Sequence, residues 1–187
     1  MKKILLVGLL VLTLSVRVSV AAAPLPAPAG WSMISNPCDG AVTPVTVFLP
    51  AALEGTYLYK YDEVLMIWDT EVYSSGAWSP GVMTLAPGEG AWILLPSATV
   101  LTFFGIPLVP VHSIALPAGF SMRSAPSGLG LAGFPLAEGD TIFKYVPASA
   151  TYDIYVYTEG IWDPVAPVLA PGEACWVFKT VPGVWVQ

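Results

Sequence analysis

Apolar and polar positions alternate along much of this chain with a period of two. Tyr57, Tyr59 and Tyr61 are spaced by Leu58 and Lys60, and Phe143 and Tyr145 flank Lys144. Successive side chains on a strand point to opposite faces of a sheet, so this spacing predicts strands. Further β-rich runs lie at 30–36, 64–73, 91–95 and 99–104, with echoes at 119–124, 151–158, 174–178 and 183–186. Segments 44–53 and 129–136 have room for one short helical turn each, and both are interrupted by Pro or Gly. The pattern predicts an all-β protein.

It also occurs twice. Leu85-Ala86-Pro87-Gly88-Glu89-Gly90-Ala91-Trp92 returns eighty-four residues later as Leu169-Ala170-Pro171-Gly172-Glu173-Ala174-Cys175-Trp176. Glu54-Gly55 returns as Glu138-Gly139, and Trp78-Ser79-Pro80 as Trp162-Asp163-Pro164. Pro28-Ala29-Gly30-Trp31-Ser32-Met33 matches Pro117-Ala118-Gly119-Phe120-Ser121-Met122 at an offset of eighty-nine, which places a five-residue insertion between Pro37 and Glu54. Surface loops tolerate such changes in length. Two units follow, 23–104 and 117–187, joined by an extended Pro-bearing linker at 105–116. A core of that size supplies little net stability alone. The units are therefore expected to be tandem duplicated antiparallel β-units, small and sandwich- or barrel-like, packed with approximate two-fold symmetry. Pro87-Gly88 and Pro171-Gly172 suit type II turns, Pro presetting one φ and Gly supplying the positive one. Each reversal is expected to deliver Trp92 or Trp176 into a core.

With these motifs at 28–35, 54–61, 78–80 and 87–90, and again at 117–124, 138–145, 162–164 and 171–174, the chain resembles uncharacterised exported bacterial proteins built from paired β-repeats. The resemblance implies a secreted, duplicated β architecture and carries over no catalytic residue.

The first residues read as a signal peptide, 1–22: Lys2-Lys3, an apolar run at 4–16, then Ala21-Ala22-Ala23. The run is shorter than the roughly 20 residues of a spanning helix, so no integral membrane span is expected after its removal. Cleavage is expected after Ala22, with Ala21 as the alternative, because a proline directly after the scissile bond would hinder the peptidase; an uncleaved N-terminal anchor is the competing reading, since Arg17 interrupts the cleavage region. The protein is then secreted, to the extracellular space, the cell envelope or the periplasm. Loss of Lys2, Lys3 and Arg17 leaves Lys60, Arg123, Lys144 and Lys179 against 13 acidic groups, a net charge of about −9. Four scattered cations argue against nucleic acid and against a polybasic lipid contact. The abundance of aromatic and β-branched residues argues against disorder, so part of the apolar surface is expected to face solvent or a partner.

Candidate chemistry is sparse. The sole histidine, His112, lies in the linker without a neighbouring acid or cysteine, and no His and Cys pair has metal-ligand spacing. Asp62, Glu63, Asp69 and Glu71 would supply oxygen ligands only if their strands formed a hairpin, and a solvated strand edge is the simpler reading. Glu54 with Glu138, or Glu89 with Glu173, are the carboxylate pairs a glycan hydrolase would need, yet each adjoins a Gly where backbone hydrogen bonds occupy a carboxylate readily. No catalytic residue, metal or cofactor is assigned. Cys38 and Cys175 make an even count in an exported chain, which permits a disulfide between them. Among Trp31, Trp68, Trp78, Trp162 and Trp185, the loop-edge pair Trp78 and Trp162 are the binding candidates, since a flat exposed ring stacks on a sugar face. The expected function is that of a non-catalytic secreted or envelope protein acting on a partner protein or polysaccharide surface. Carbohydrate binding or adhesion through exposed Trp and Tyr is the alternative, and glycan hydrolysis the weaker one.

Overall fold

A computed structural model describes residues 24–39, 44–107, 113–125 and 130–186. The segment 1–22, expected to be a leader, and His112 lie outside them. The first unit holds β1 (Leu25–Ala27), β2 (Gly30–Ser35), β3 (Cys38–Asp39), the one-turn helix α1 (Val45–Phe48), β4 (Thr56–Asp62), β5 (Ile67–Ser74), β6 (Ala77–Ser79), β7 (Gly90–Leu95), β8 (Thr99–Leu101) and β9 (Ile106–Pro107). The second holds β10 (Ser113–Leu116), β11 (Gly119–Arg123), β12 (Thr141–Val146), β13 (Thr151–Thr158), β14 (Ile161–Asp163), β15 (Cys175–Lys179) and β16 (Gly183–Val186). Each unit is built on a five-stranded antiparallel sheet, ordered β2-β7-β4-β5-β6 in the first and β11-β15-β12-β13-β14 in the second. The fold is all-β and duplicated.

The two sheets agree in register as well as in order. Tyr59 faces Trp92 as Phe143 faces Trp176, Tyr61 faces Trp68 as Tyr145 faces Tyr152, and Tyr73 faces Trp78 as Tyr157 faces Trp162. A small ribbon accompanies each sheet, β1 with β8 and β10 with β16, again in matching register. That ribbon corrects the linker. Ser113–Leu116, within 105–116, is the second unit's copy of β1, and β9 pairs back onto β3 of the first unit. The alternation Ser113-Ile114-Ala115-Leu116, with Ile114 and Leu116 buried, is that of a half-buried strand; it was obscured by the prolines preceding it. Strand 64–73 is likewise corrected. The strand begins at Ile67, because the Asp62 carboxylate accepts the N–H groups of Val64 and Leu65 at 2.8 Å and turns the chain into a hairpin tip.

One face of each sheet is core. In the first unit Leu58, Ile93 and Leu95 pack under Phe48, Leu49, Leu101 and Phe103. In the second, Ile142 and Val177 pack under Ile114, Leu116 and Trp185. Cys38 belongs to the first cluster and Cys175 to the second, both as free buried thiols. The disulfide is therefore absent: each cysteine fills apolar space in its own unit. Burial pushes the Cys38 thiol up to about 11 and the Cys175 thiol up to about 12.

The units pack through reciprocal contacts. The Gly88 carbonyl accepts the Ser124 N–H at 3.0 Å and the Gly172 carbonyl accepts the Ser35 N–H at 2.9 Å, while Glu89 bridges to Arg123 as Glu173 does to Ile34. Every one of these contacts occurs twice with the units exchanged, which is an approximate two-fold axis. Met33, Met122 and Ala174 form the buried patch between the units, ringed by Tyr61, Trp92, Tyr145 and Trp176. The repeated Pro-Gly-Glu turns thus serve as clasps, each grasping the first sheet strand of the other unit. Among the described residues no helix is long and apolar enough to cross a membrane, a statement that leaves β-barrels aside.

Candidate functional site: an aromatic face across both units

The sheet face opposite each core is aromatic. On β4 the alternation that buries Leu58 turns Tyr57, Tyr59 and Tyr61 the other way, and β2, β7 and β5 add Trp31, Trp92 and Trp68 to the same side. The second unit repeats the device with Phe120, Phe143, Tyr145, Tyr152, Trp176 and Phe178. Two hollows result. Trp31, Tyr59, Trp68, Trp92 and Tyr145 line one of about 440 Å³, and Phe120, Phe143, Tyr152, Trp176 and Tyr61 line another of about 430 Å³. Taken in that order, each residue of the first hollow is the duplicate of its counterpart in the second. Each hollow also borrows one tyrosine from the other unit, Tyr145 and Tyr61 changing places. Both volumes fall within the range of about 300–1,000 Å³ typical of small-ligand pockets.

The rings form one connected surface. Trp31 meets Tyr59 at 5.4 Å and Trp92 at 5.8 Å between ring centres, and Trp92 meets Tyr145 edge-on at 4.8 Å. Tyr145 then meets Tyr152 at 5.4 Å, and across the axis Tyr61 meets Trp68 at 5.2 Å and Trp176 at 5.5 Å. Such tilted and edge-on pairs are the favoured ring geometry and hold the platform stiff. Trp31, Trp68, Phe120 and Tyr152 are 41%, 44%, 52% and 40% exposed, a large apolar area to leave in water. No ionisable carboxylate, lysine or arginine lines either hollow. The indole N–H groups of buried Trp78 and Trp185 donate to the carbonyls of Leu49 and Ala132. By contrast, the indoles of Trp31, Trp68 and Trp92 and the hydroxyls of Tyr57, Tyr59, Tyr61 and Tyr145 have no such partner among the described residues. Apolar ring faces and unpaired polar edges stand side by side.

The tryptophans that the sequence marks for binding are not those of this face. Trp78, expected at a loop edge, is 5% exposed in the first core, and Trp162 packs half-buried against Tyr157 and Phe134. Neither reaches the hollows. The Trp-x-Pro motif lies on the short edge strand, where register opposite Tyr73 or Tyr157 turns its ring under the sheet. Trp92 and Trp176, expected in a core, are half-buried walls of the hollows instead. Their strand alternates Trp92 outward with Ile93 inward and sets Trp92 opposite Tyr59, a pairing between remote residues that the sequence alone does not display.

The repeated carboxylates are occupied by structure. Glu89 and Glu173 accept the N–H groups of Ala86 and Ala170 within their own turns and pair with Lys60 and Lys144 at 2.6 and 3.0 Å. Glu54 accepts the N–H groups of Ser75 and Gly76, and Glu138 those of Glu159 and the Thr158 hydroxyl, each closing a hairpin. Glu63 forms a two-pronged pair with Arg123 at 2.7 and 2.8 Å, and buried Glu71 accepts three N–H groups from Gly81, Val82 and Met83. With both oxygens engaged, Glu63 and Glu71 are poorly placed as metal ligands beside Asp62 and Asp69. Neither a protein-family model, nor a curated protein, nor a solved structure matches this chain.

Proposed function

We propose that this protein is a non-catalytic binding module of the cell exterior that takes neutral carbohydrate on its aromatic face. The single observation that carries the reading is the pairing of exposed ring faces with the unpaired indoles of Trp31, Trp68 and Trp92 and hydroxyls of Tyr59, Tyr61 and Tyr145 in hollows without a charge, while in the second hollow the Tyr152 hydroxyl and the Trp176 indole meet each other. A sugar ring has an apolar CH face and a rim of hydroxyls, so it covers the rings and supplies the missing hydrogen bonds together. A purely apolar partner would leave those donors buried and unpaired, at about 1–3 kcal/mol each. An anionic polymer would meet a net charge of about −9 after leader removal. Export, expected from residues 1–22 and from the resemblance to secreted paired repeats, puts the face where polysaccharide is met.

Native electrophoresis through gels containing soluble hydroxyethylcellulose, glucomannan, xylan or dextran tests the reading. Wild type is expected to be retarded by at least one polymer, and Trp31→Ala with Phe120→Ala, folded by circular dichroism, to run free. Migration unaffected by every polymer would refute carbohydrate binding, and release of reducing sugar by pure protein would refute the absence of catalysis. A partner-protein reading rests on another feature, the tip Val64 to Ile67, which is aliphatic and exposed where the second unit has Ala148, Ser149 and Ala150. It predicts that Leu65→Asp, and not a change on the aromatic face, abolishes attachment.

A further inference from the structure

We infer that the two hollows are adjoining subsites for a single polysaccharide chain, which they hold together by stacking without regard to its direction. The inference rests on the carbohydrate reading above and adds the form of the ligand: an extended neutral polymer, and not a terminal sugar.

Three observations carry it. The hollows are contiguous, because rings of one touch rings of the other on both sides of the axis: Tyr145 lies 5.4 Å from Tyr152, and Trp68 lies 5.2 Å from Tyr61. A ligand filling the first hollow therefore ends against the wall of the second. The hollows are open at the surface and built from half-exposed rings, so a chain can enter and leave each of them, whereas a site for a chain end needs a closed wall. The third is the symmetry. An approximate two-fold reverses the direction of approach between the hollows, so a polar chain lying across both runs one way in the first and the opposite way in the second. A site reading hydroxyls one by one through fixed amides or charged groups would accept only one of those directions. Stacking on a ring face tolerates both, and tyrosine hydroxyls rotate to donate or accept. Both hollows are lined by aromatic residues alone.

The duplicate hollows are not equal. The first offers three tryptophans, Trp31, Trp68 and Trp92, where the second offers Phe120, Tyr152 and Trp176. The larger indole surfaces make the first hollow the stronger subsite. A chain bound there reaches the second as an intramolecular event, at an effective concentration of order millimolar, and linked sites of this kind gain about 10²–10⁴-fold.

Titration calorimetry with cello-, xylo- and manno-oligosaccharides, from disaccharide to hexasaccharide, tests this against wild type, Trp31→Ala, Phe120→Ala and the stacking-competent Trp31→Phe. In the series that binds, affinity is expected to rise at least tenfold once the oligosaccharide spans both hollows, with one chain per protein. Phe120→Ala should remove that rise, Trp31→Ala should weaken every length, and Trp31→Phe should restore most of it. Length-independent affinity with two chains per protein would overturn the shared-chain inference and leave the carbohydrate reading standing. Absence of binding at every length and to every polymer would overturn both. So would a wild-type dimer in sedimentation that Trp31→Ala makes monomeric, since the face would then belong to a second copy of the chain.

Discussion

At the scale of single residues, the duplication provides its own controls. Asp140 and Lys179 form a fully buried ion pair in the second unit, and their duplicates in the first are Thr56 and Leu95, also buried. Lys179 also donates to the Pro135 carbonyl, and Asp140 accepts the N–H groups of Ala137 and Thr180. The same fold thus tolerates a charged and a nearly apolar solution at one place. Breaking a buried pair leaves one charge uncompensated, so Lys179→Leu alone should cost about 3–5 kcal/mol in urea unfolding. Adding Asp140→Thr, which copies the first unit, should recover at least half of that loss. Failure to recover would mean that the surrounding hydrogen bonds, and not the pair, require the charges. The buried thiols make a second prediction. Their folded pKa values, about 11 and 12, lie above the ordinary 9.0, so the contribution is present below pH 9 and fades as pH rises toward the folded values. Unfolding midpoints should fall above about pH 9, and Cys38→Ala with Cys175→Ala should flatten part of that fall. At neutral pH neither thiol should react with an aromatic disulfide reagent until the protein unfolds.

Turns and hairpins were the most legible elements. Ala86-Pro87-Gly88-Glu89 does form the expected reversal, with Gly88 at φ +85° and the Glu89 N–H returning to the Ala86 carbonyl at 3.0 Å. What the turn grips was not legible. A Cβ on Gly88 would lie 2.6 Å from the Ile114 side chain, which belongs to the other unit. Gly88→Ala should therefore cost about 2–4 kcal/mol, combining backbone strain with overpacking. Gly76, at φ +78° with open space around its Cβ position, isolates the backbone part, and Gly76→Ala should cost about 1–2 kcal/mol. Equal losses in chemical denaturation would show that the clasp between units is slack. The hairpin tip at Val64 to Met66 misled for the opposite reason. Its aliphatic residues suit a strand, but the Asp62 cap decides the path.

Across the whole molecule, the units share backbone hydrogen bonds, the Met33, Met122 and Ala174 patch and the aromatic rim. Scanning calorimetry is expected to show a single cooperative transition. Gly90→Leu should lower its midpoint, because a Cβ there would stand 2.8 Å from Ala174 at the axis. Two resolved transitions in wild type would show units that fold independently.

Strand period, Pro-Gly punctuation and the repeat were sufficient to predict the fold class, the pairing of units and the structural employment of the repeated glutamates. These are local or self-similar properties: a period of two dictates faces, and a duplicated segment dictates the same path twice. Which face became core lay beyond that logic. Tyr59 and Leu58, or Trp92 and Ile93, are all apolar enough to bury, and only the ribbons, α1 and the following loops, docking on the Leu58 side, left the aromatic side uncovered. The exchange of Tyr145 and Tyr61 between hollows, and the separation of Cys38 from Cys175, depend on how two units meet. Contacts between residues remote in the chain set that meeting, and no local pattern encodes them.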